Sequence, residues 1–336
     1  MFHGLKMNKP SAAFLDEQMW KPSASLEYLK YRAWLLAKIR EFFAERKVLE
    51  VETPLMCSTT IPDPAISSIT TNFNLVSKSK KFYLQTSPEF AMKRLLAAGS
   101  GSIYQICKAF RNDELGRWHN PEFTLLEWYR VDFDLKQLMQ EVDMLLQTIV
   151  NAPPLCYLTY TELFQKFFEI DPLQASISDL QKLAEQHQIT VCWEASTTDY
   201  DTWLQLLLSH VIEPQLGHER PVAIYEFPAS QAALSRLSAD KKLAQRFEIY
   251  WRGIELANGF HELTDAGEQA ARFQQDLSKR HALKLDDIPI DNHLLAALKS
   301  GLPDCSGVAL GVDRLIMLAV QCEHLNQVLS FAIDRV

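Results

Sequence analysis

The chain has 336 residues, 47% hydrophobic and 23% charged, a balance that supports one large folded domain or two modest ones and excludes wholesale disorder. Asp and Glu outnumber Lys and Arg by 42 to 34; the net charge of −8 excludes a globally basic nucleic-acid footprint, though not a local basic patch. No apolar run reaches the roughly 18 residues of a transmembrane helix, so no membrane partner is expected, and Met1 to Trp20 lacks the apolar core of a secretory signal.

Residues 1–25 read as a loose arm, interrupted by Pro10 and Pro22. Leu26 to Lys47 is predicted helical, because Leu26, Leu29, Leu36, Ile39 and Phe43 recur at helical steps. A short strand follows at Val48 to Glu52, closed by Pro54. Cys57 to Ile69 is turn-rich, and Phe82 to Gln85 is a strand. Pro88 suits the first turn of a helix that runs to Ala98 and stops at Gly99. Ser102 to Phe110 and Glu122 to Tyr129 form an antiparallel pair around a polar loop. Leu135 to Val150 is an amphipathic helix. Residues 151–220 show helical patterns, Trp203 to Val211 among them, without a charged motif, and read as a peripheral insertion. Strands at Val222 to Phe227 and Arg246 to Leu256 follow, then helices near Glu268 to Ala282 and Asn292 to Lys299. The chain ends in a strand from Gly307, a break at Gly311 and an apolar helix to Cys322.

Strands arrive as neighbours and do not alternate regularly with helices. This predicts an α+β fold with a mainly antiparallel sheet flanked by helices. Neither a P-loop nor a Rossmann fingerprint occurs. The six cysteines, Cys57, Cys107, Cys156, Cys192, Cys305 and Cys322, form no CxxC pair and read as unpaired thiols of a reducing cytosol.

Four stretches concentrate chemistry. The first, RNDELGRWHNPEF, sets Arg111, Asp113, Arg117, His119 and Asn120 between two strands. Arginine offers a planar fork of donors to phosphate oxygens, and Phe123 a ring to stack on a base; a solvated hairpin tip is the alternative. The second, RFEIYWRGIELANGFHELTD, places Glu248, Glu255 and Glu262 amid apolar neighbours. Buried carboxylates need partners, and a Mg²⁺ ion bridging phosphates or a bound ammonium group would serve. Residues seven apart in a regular strand face opposite ways, so convergence needs a kink, with Gly253 and Asn258-Gly259 as candidates. Otherwise these are ordinary strand-face acids. The third, GVALGVDRL, runs small residues into a helix with Arg314 in its first turn. A cation there opposes the helix dipole and points to a nearby anion, unless the turn serves packing alone. The fourth, Thr86-Ser87-Pro88-Glu89, has the form of a helix N-terminus with Ser87 as cap.

Together these stretches resemble a class II aminoacyl-tRNA synthetase catalytic domain, from about Leu26 to Val336. FFAERKVLEVETPLM is similar to motif 1, FRNDELGRWHNPEFTLLEWY to motif 2 and GVALGVDRL to motif 3; TSPEFAMKRL and ELANGFHELTD are similar to the lysyl branch. About 25 residues precede this region, too few for the anticodon-reading OB-fold domain of lysyl-tRNA synthetases. The chain therefore resembles the paralogue family that attaches (R)-β-lysine to a lysine of elongation factor P. Ala309 agrees with this, since lysyl-tRNA synthetases usually carry Gly there and a methyl group reshapes the amino-acid pocket.

The resemblance implies residue roles. Ser87 and Glu89 would hold the substrate's amino end, Tyr129 and Glu262 its distal ammonium, and Asn258 its carboxylate. Arg111 and Arg314 would be the catalytic pair, Arg111 gripping the α-phosphate and substrate carboxylate and Arg314 the γ-phosphate. Asp113, Asn120, Phe123, Glu255, Leu256 and Gly311 would meet ATP, and Glu248 and Glu255 would carry Mg²⁺. Asp113 stands where the family usually has Glu, and a bridging water would make up its shorter reach. The implied reaction joins (R)-β-lysine to AMP and then passes it to the protein amine, with no tRNA, in a homodimer built through motif 1. The alternative is a shortened lysyl-tRNA synthetase charging tRNA with α-lysine. An asparagine-synthetase-like ligase and a non-catalytic regulatory paralogue fit less well, because the lysyl pattern, Arg111, Arg314, Glu248 and Glu255 all stand.

Overall fold

The computed structural model describes residues 19–75, 78–190 and 199–336. Most of the expected N-terminal arm, and Cys192, lie outside them. An eight-stranded sheet organises the chain. Its strands are β1 (Leu49–Glu50), β5 (Ile103–Phe110), β6 (Glu122–Val131), β7 (Cys156–Thr159), β8 (Val222–Pro228), β9 (Leu243–Trp251), β10 (Ile254–His261) and β11 (Cys305–Gly311). The spatial order is β1-β5-β6-β11-β10-β9-β8-β7. Only the two outer pairings, β1 with β5 and β7 with β8, are parallel. The mainly antiparallel α+β expectation holds.

Sequence alternation assigns the two faces. Leu126, Trp128, Phe247, Ile249, Val308 and Leu310 point to the back, where they form the largest core with three helices. These are α1 (Leu26–Glu45), α3 (Leu135–Val150) and α9 (Val312–Ala319). Phe43 of α1 meets Tyr104 and Trp128 ring to ring. The front face is covered only at its flanks. On one side α2 (Glu89–Ala97), α7 (Ala266–Ala282) and α8 (Asn292–Gly301) pack around Ile103, Phe273 and Cys305. On the other, α4 (Tyr160–Phe168), α5 (Ile177–Gln186) and α6 (Tyr200–Leu207) pack on Val222 and Ile224. The stretch read as a peripheral insertion thus supplies an edge strand and one wall of the front face. The central front strands remain open between the flanks.

A second, three-stranded sheet was not foreseen. It comprises β2 (Met56–Cys57), β3 (Thr70–Leu75) and β4 (Lys78–Leu84), in the order β2-β4-β3. Asn72, Asn74 and a lysine cluster disfavour strands by composition, and cross-strand pairing overrides that preference. Among the described residues no helix is long and apolar enough to cross a membrane, and Cys57, Cys107, Cys156, Cys305 and Cys322 are free thiols.

One buried ion pair ties three elements together. Arg32 of α1 donates to Asp313 at 2.5 Å and to the Thr124 hydroxyl at 2.6 Å, while the Thr124 backbone N–H donates to Asp313 at 2.7 Å. Removing one partner of such a pair strands the other charge. Arg32→Ala is expected to cost on the order of 3 kcal/mol in urea unfolding. A change below about 0.5 kcal/mol would show that water enters to solvate Asp313.

Candidate active site

The open front face forms the floor of a cavity of about 660 Å³. Register explains which side chains enter it. In β9 and β10, Asn258 lies opposite Glu248 and Glu255 opposite Tyr250. Paired residues share a face, so Glu248, Tyr250, Glu255 and Asn258 all look forward. Glu255 and Asn258 are three apart and would diverge in a regular strand. The pairing slips by one residue between Glu255 and Ala257, and this bulge at Leu256 restores both to the front. Two features produce the convergence: the hairpin turn at Gly253 (φ 74°), one of the two foreseen kinks, sets Glu248 and Glu255 on one face, and the bulge at Leu256, rather than Asn258-Gly259, brings Asn258 and Glu262 to it. Across β11 and β6 the same register brings forward Gly307, Ala309 and Gly311, and Phe123, Leu125, Glu127 and Tyr129.

The cavity brings together nearly all the residues named from sequence. Ser87, Glu89, Arg111, Asn120, Phe123, Tyr129, Glu248, Glu255, Leu256, Asn258, Glu262, Ala309, Gly311 and Arg314 line it. Asp113 does not. It is exposed, at φ 62°, beside the Asn112 amide, and the neighbouring Glu114 reaches the cavity and lies 3.5 Å from Arg111. Asn120 lines the wall with its amide committed: it donates to the Glu122 carbonyl and accepts from the Ile333 N–H.

One end of the cavity is acidic. Glu127, Glu262 and Lys93 are each 2% exposed or less. Lys93 bridges Glu89 and Glu262, at 2.6 Å from each. Ser87 and Tyr129 both donate to Glu127 at 2.7 Å, and Ser87 also accepts the Glu89 N–H. Ser87 therefore aims Glu127 and steadies the start of α2, which begins at Glu89 with Pro88 in the capping position. Burial first, then the charge of Glu89, pushes Glu127 up to about 8. Burial pushes Glu262 up to about 7 against the opposing pull of Lys93. Burial works against the Lys93 charge, but the two carboxylates outweigh it and raise its pKa. Gly307 is required here: a Cβ would lie 2.3 Å from the Tyr129 ring and 2.6 Å from Glu262.

The other end is cationic. Arg314 donates to the Glu255 carbonyl at 2.8 Å and contacts His119 Nε2 at 2.7 Å. Burial, then Arg314, lowers the His119 pKa, which keeps the ring neutral and able to accept. The Arg111 guanidinium lies 5.2 Å from the Phe123 ring centre. Between the two ends, Asn258 Oδ1 and Arg111 Nε are buried without a hydrogen-bond partner among the described residues, as expected of groups that face a ligand.

Glu248 is held by Arg246 and by the Tyr250 hydroxyl, which also donates to Glu213. No group of three or more metal-ligating side chains occurs among the described residues. Mg²⁺ commonly takes one or two carboxylates and fills its shell with water and phosphate oxygens, so the pair Glu248 and Glu255 fits that ion in a nucleotide complex.

Sequence reading missed Glu127 and Lys93. Both carried a signal. Glu127 interrupts the apolar run Leu125-Leu126-Glu127-Trp128 on the same face as Tyr129. Lys93 sits between Met92 and Leu96 on the buried face of α2, one turn after Glu89.

A mainly antiparallel sheet thus carries a carboxylate-floored pocket beside an arginine-lined one, an arrangement in keeping with the class II synthetase core. The chain belongs to the tRNA synthetases class II (D, K and N), whose family model matches residues 18–335. It is similar to the Elongation factor P–(R)-beta-lysine ligase of Salmonella arizonae, at 53% identity over 319 residues, covering 94% of this chain and 98% of that protein. The protein of the same name from Edwardsiella ictaluri is 51% identical over 323 residues, covering 95% and 99%, and that of Salmonella paratyphi B is 52% identical over 319 residues, covering 94% and 98%.

An arriving ammonium group stabilises ionised carboxylates. Glu127 and Glu262 are partly protonated near neutrality, so binding a diamino acid such as lysine should expel protons. Affinity should rise with pH between about 6 and 8. Titration calorimetry at pH 7 in buffers of different ionisation enthalpy reads this directly. Heats independent of buffer would show both carboxylates already ionised in the free protein.

Proposed function

We propose that this protein activates (R)-β-lysine with ATP and transfers it to a lysine side chain of elongation factor P. The carrying observation is the acidic pocket floor, set in a full-length match to proteins bearing that ligase name. The acid pocket suits a substrate with ammonium groups, and the arginine end suits a polyphosphate.

The substrate carboxylate attacks the α-phosphorus of ATP, forming the acyl-phosphate bond and releasing pyrophosphate. The acceptor amine then attacks the acyl carbon, forming an amide as AMP leaves. In this reading Glu262, Glu89 and Glu127 bind the amino groups, with Tyr129 and Ser87 orienting Glu127, and Asn258 holds the carboxylate. Arg111 spans carboxylate and α-phosphate as charge moves between them, Arg314 binds the γ-phosphate, and Phe123, Leu256 and Gly311 frame the adenine. Glu248 and Glu255 would hold Mg²⁺, which neutralises phosphate charge when bound. Asn120 keeps the motif 2 loop on the C-terminal segment, and Glu114 stands better placed than Asp113 to face the nucleotide. No side-chain nucleophile is needed, and tRNA charging is not favoured.

Intact mass of elongation factor P after incubation with the protein, MgATP and (R)-β-lysine tests the reading; a gain of one lysyl unit, with tRNA uncharged in a parallel reaction with α-lysine, is expected. Charged tRNA with an unmodified factor would overturn it. In the same assay Glu262→Gln should lower kcat/KM for the amino acid at least about 100-fold, since it removes a buried charge that answers an ammonium.

The homodimer is part of the same proposal. Leu26 and Trp34 on α1, and Leu49, Leu55 and Met56 within the motif 1 stretch that follows, are exposed large apolar residues. Light scattering should give twice the chain mass, and Trp34→Glu should lower it toward the monomer. A monomeric parent protein would refute the assignment.

A further inference from the structure

We propose that Lys93 is a built-in counter-ion, a positioning residue that holds Glu89 and Glu262 together in the empty pocket and thereby sets how readily the site accepts a substrate ammonium group. This deepens the reading above and rests on it.

The geometry carries the inference. Lys93 is 1% exposed, and its ammonium lies 2.6 Å from a carboxylate oxygen of each glutamate. A lysine this deep is rare unless paired. It arises from α2, one turn after Glu89, and reaches across to Glu262, the residue after β10, so it joins two walls of the pocket. The groups facing this centre from the packed elements are Glu89 on α2, Glu127 and Tyr129 on β6, Glu262 just after β10, Arg236 behind Glu262, and the Cys305 thiol on β11. Two carboxylates share one fully enclosed ammonium, the third, Glu127, is met by hydroxyls alone, and the site keeps an excess of negative charge for the ligand. Lys93 does not need to touch the substrate. It acts by keeping two of the acids from repelling each other apart and from taking up protons.

The consequence is a sign that a purely structural lysine would not give. Without its cation, Glu262 would bind its proton more tightly, since removing an opposite charge at close range raises a carboxylate pKa by about 1–3 units. The acid limb of amino-acid affinity against pH should therefore move upward by a similar amount.

The test is calorimetric binding of (R)-β-lysine and L-lysine to the full-length protein from pH 5.5 to 9, without ATP. Wild-type protein should bind one of them with an acid limb. In K93M that limb should shift to higher pH, with affinity recovering at alkaline pH, and K93R should restore the wild-type position. Where K93M does not fold, K93M/E89Q replaces the ion pair as a unit and should shift the limb in the same direction by less. An unshifted limb in a folded variant, with only a lower Tm, would overturn the proposal. Absence of binding of either amino acid by wild-type protein would refute the underlying functional reading instead.

Discussion

Negative charge buried in the floor of the cavity is the constraint on which this structure depends. A carboxylate in such a place must be met by a cation or by directed donors, or it takes up a proton. The front face of the sheet meets this demand in several ways within one cavity. Lys93 answers Glu89 and Glu262; two hydroxyls answer Glu127; Arg246 and a tyrosine answer Glu248. Only Lys93 and Ser87 come from a flanking element, α2 and the turn before it; Tyr129, Arg246 and Tyr250 rise from the sheet itself.

The phosphate end uses the complementary arrangement. Arg314 is fixed by the Glu255 and Trp118 carbonyls and a neutral histidine, with the Glu255 carboxylate 3.8 Å away. Its neighbour Asp313 faces Arg32 and the Thr124 N–H, so the motif 3 helix is located by α1 and motif 2 together. One helical turn thus presents adjacent residues with separate tasks, an acid for assembly and a base for ligand. The acidic and cationic ends remain distinct because their internal pairs close locally.

The sequence disclosed most of the large sheet, the main helices and most of the cavity wall, because alternation and helical spacing survive in residues such as Leu126, Trp128 and Leu138; it missed β7 and ran β9 into β10. Of the small β2-β4-β3 sheet only the end of β4 was legible, as Phe82 to Gln85, since its Asn- and Lys-rich strands are held by partners distant from local preference. The convergence of Glu248 with Glu255 was legible at Gly253, where the hairpin turns, but that of Glu255 with Asn258 and Glu262 was legible only as a requirement. Periodicity says that a kink is needed and cannot say which residue goes unpaired. Asp113 misled because its family correspondence fixes a position in the chain, whereas its side-chain direction depends on a left-handed backbone that no composition reveals. Lys93 and Glu127 were overlooked for a related reason: each reads as an exception in an apolar run until the partner across the fold is known.

The bulge at Leu256 has a consequence for how this segment tolerates genetic change. Replacing Leu256 with another apolar residue leaves the count of the strand intact. Deleting its codon would remove only the unpaired residue: Ala257 would follow Glu255 directly, and plain alternation would still turn Ala257 to the back and Asn258 and Glu262 to the front. Loss of a paired residue such as Gly259 would instead exchange the faces of everything after it, turning Phe260 and Glu262 toward the packed back of the sheet. The reactive face is encoded here in number as much as in letters, and at Leu256 that number carries one residue to spare.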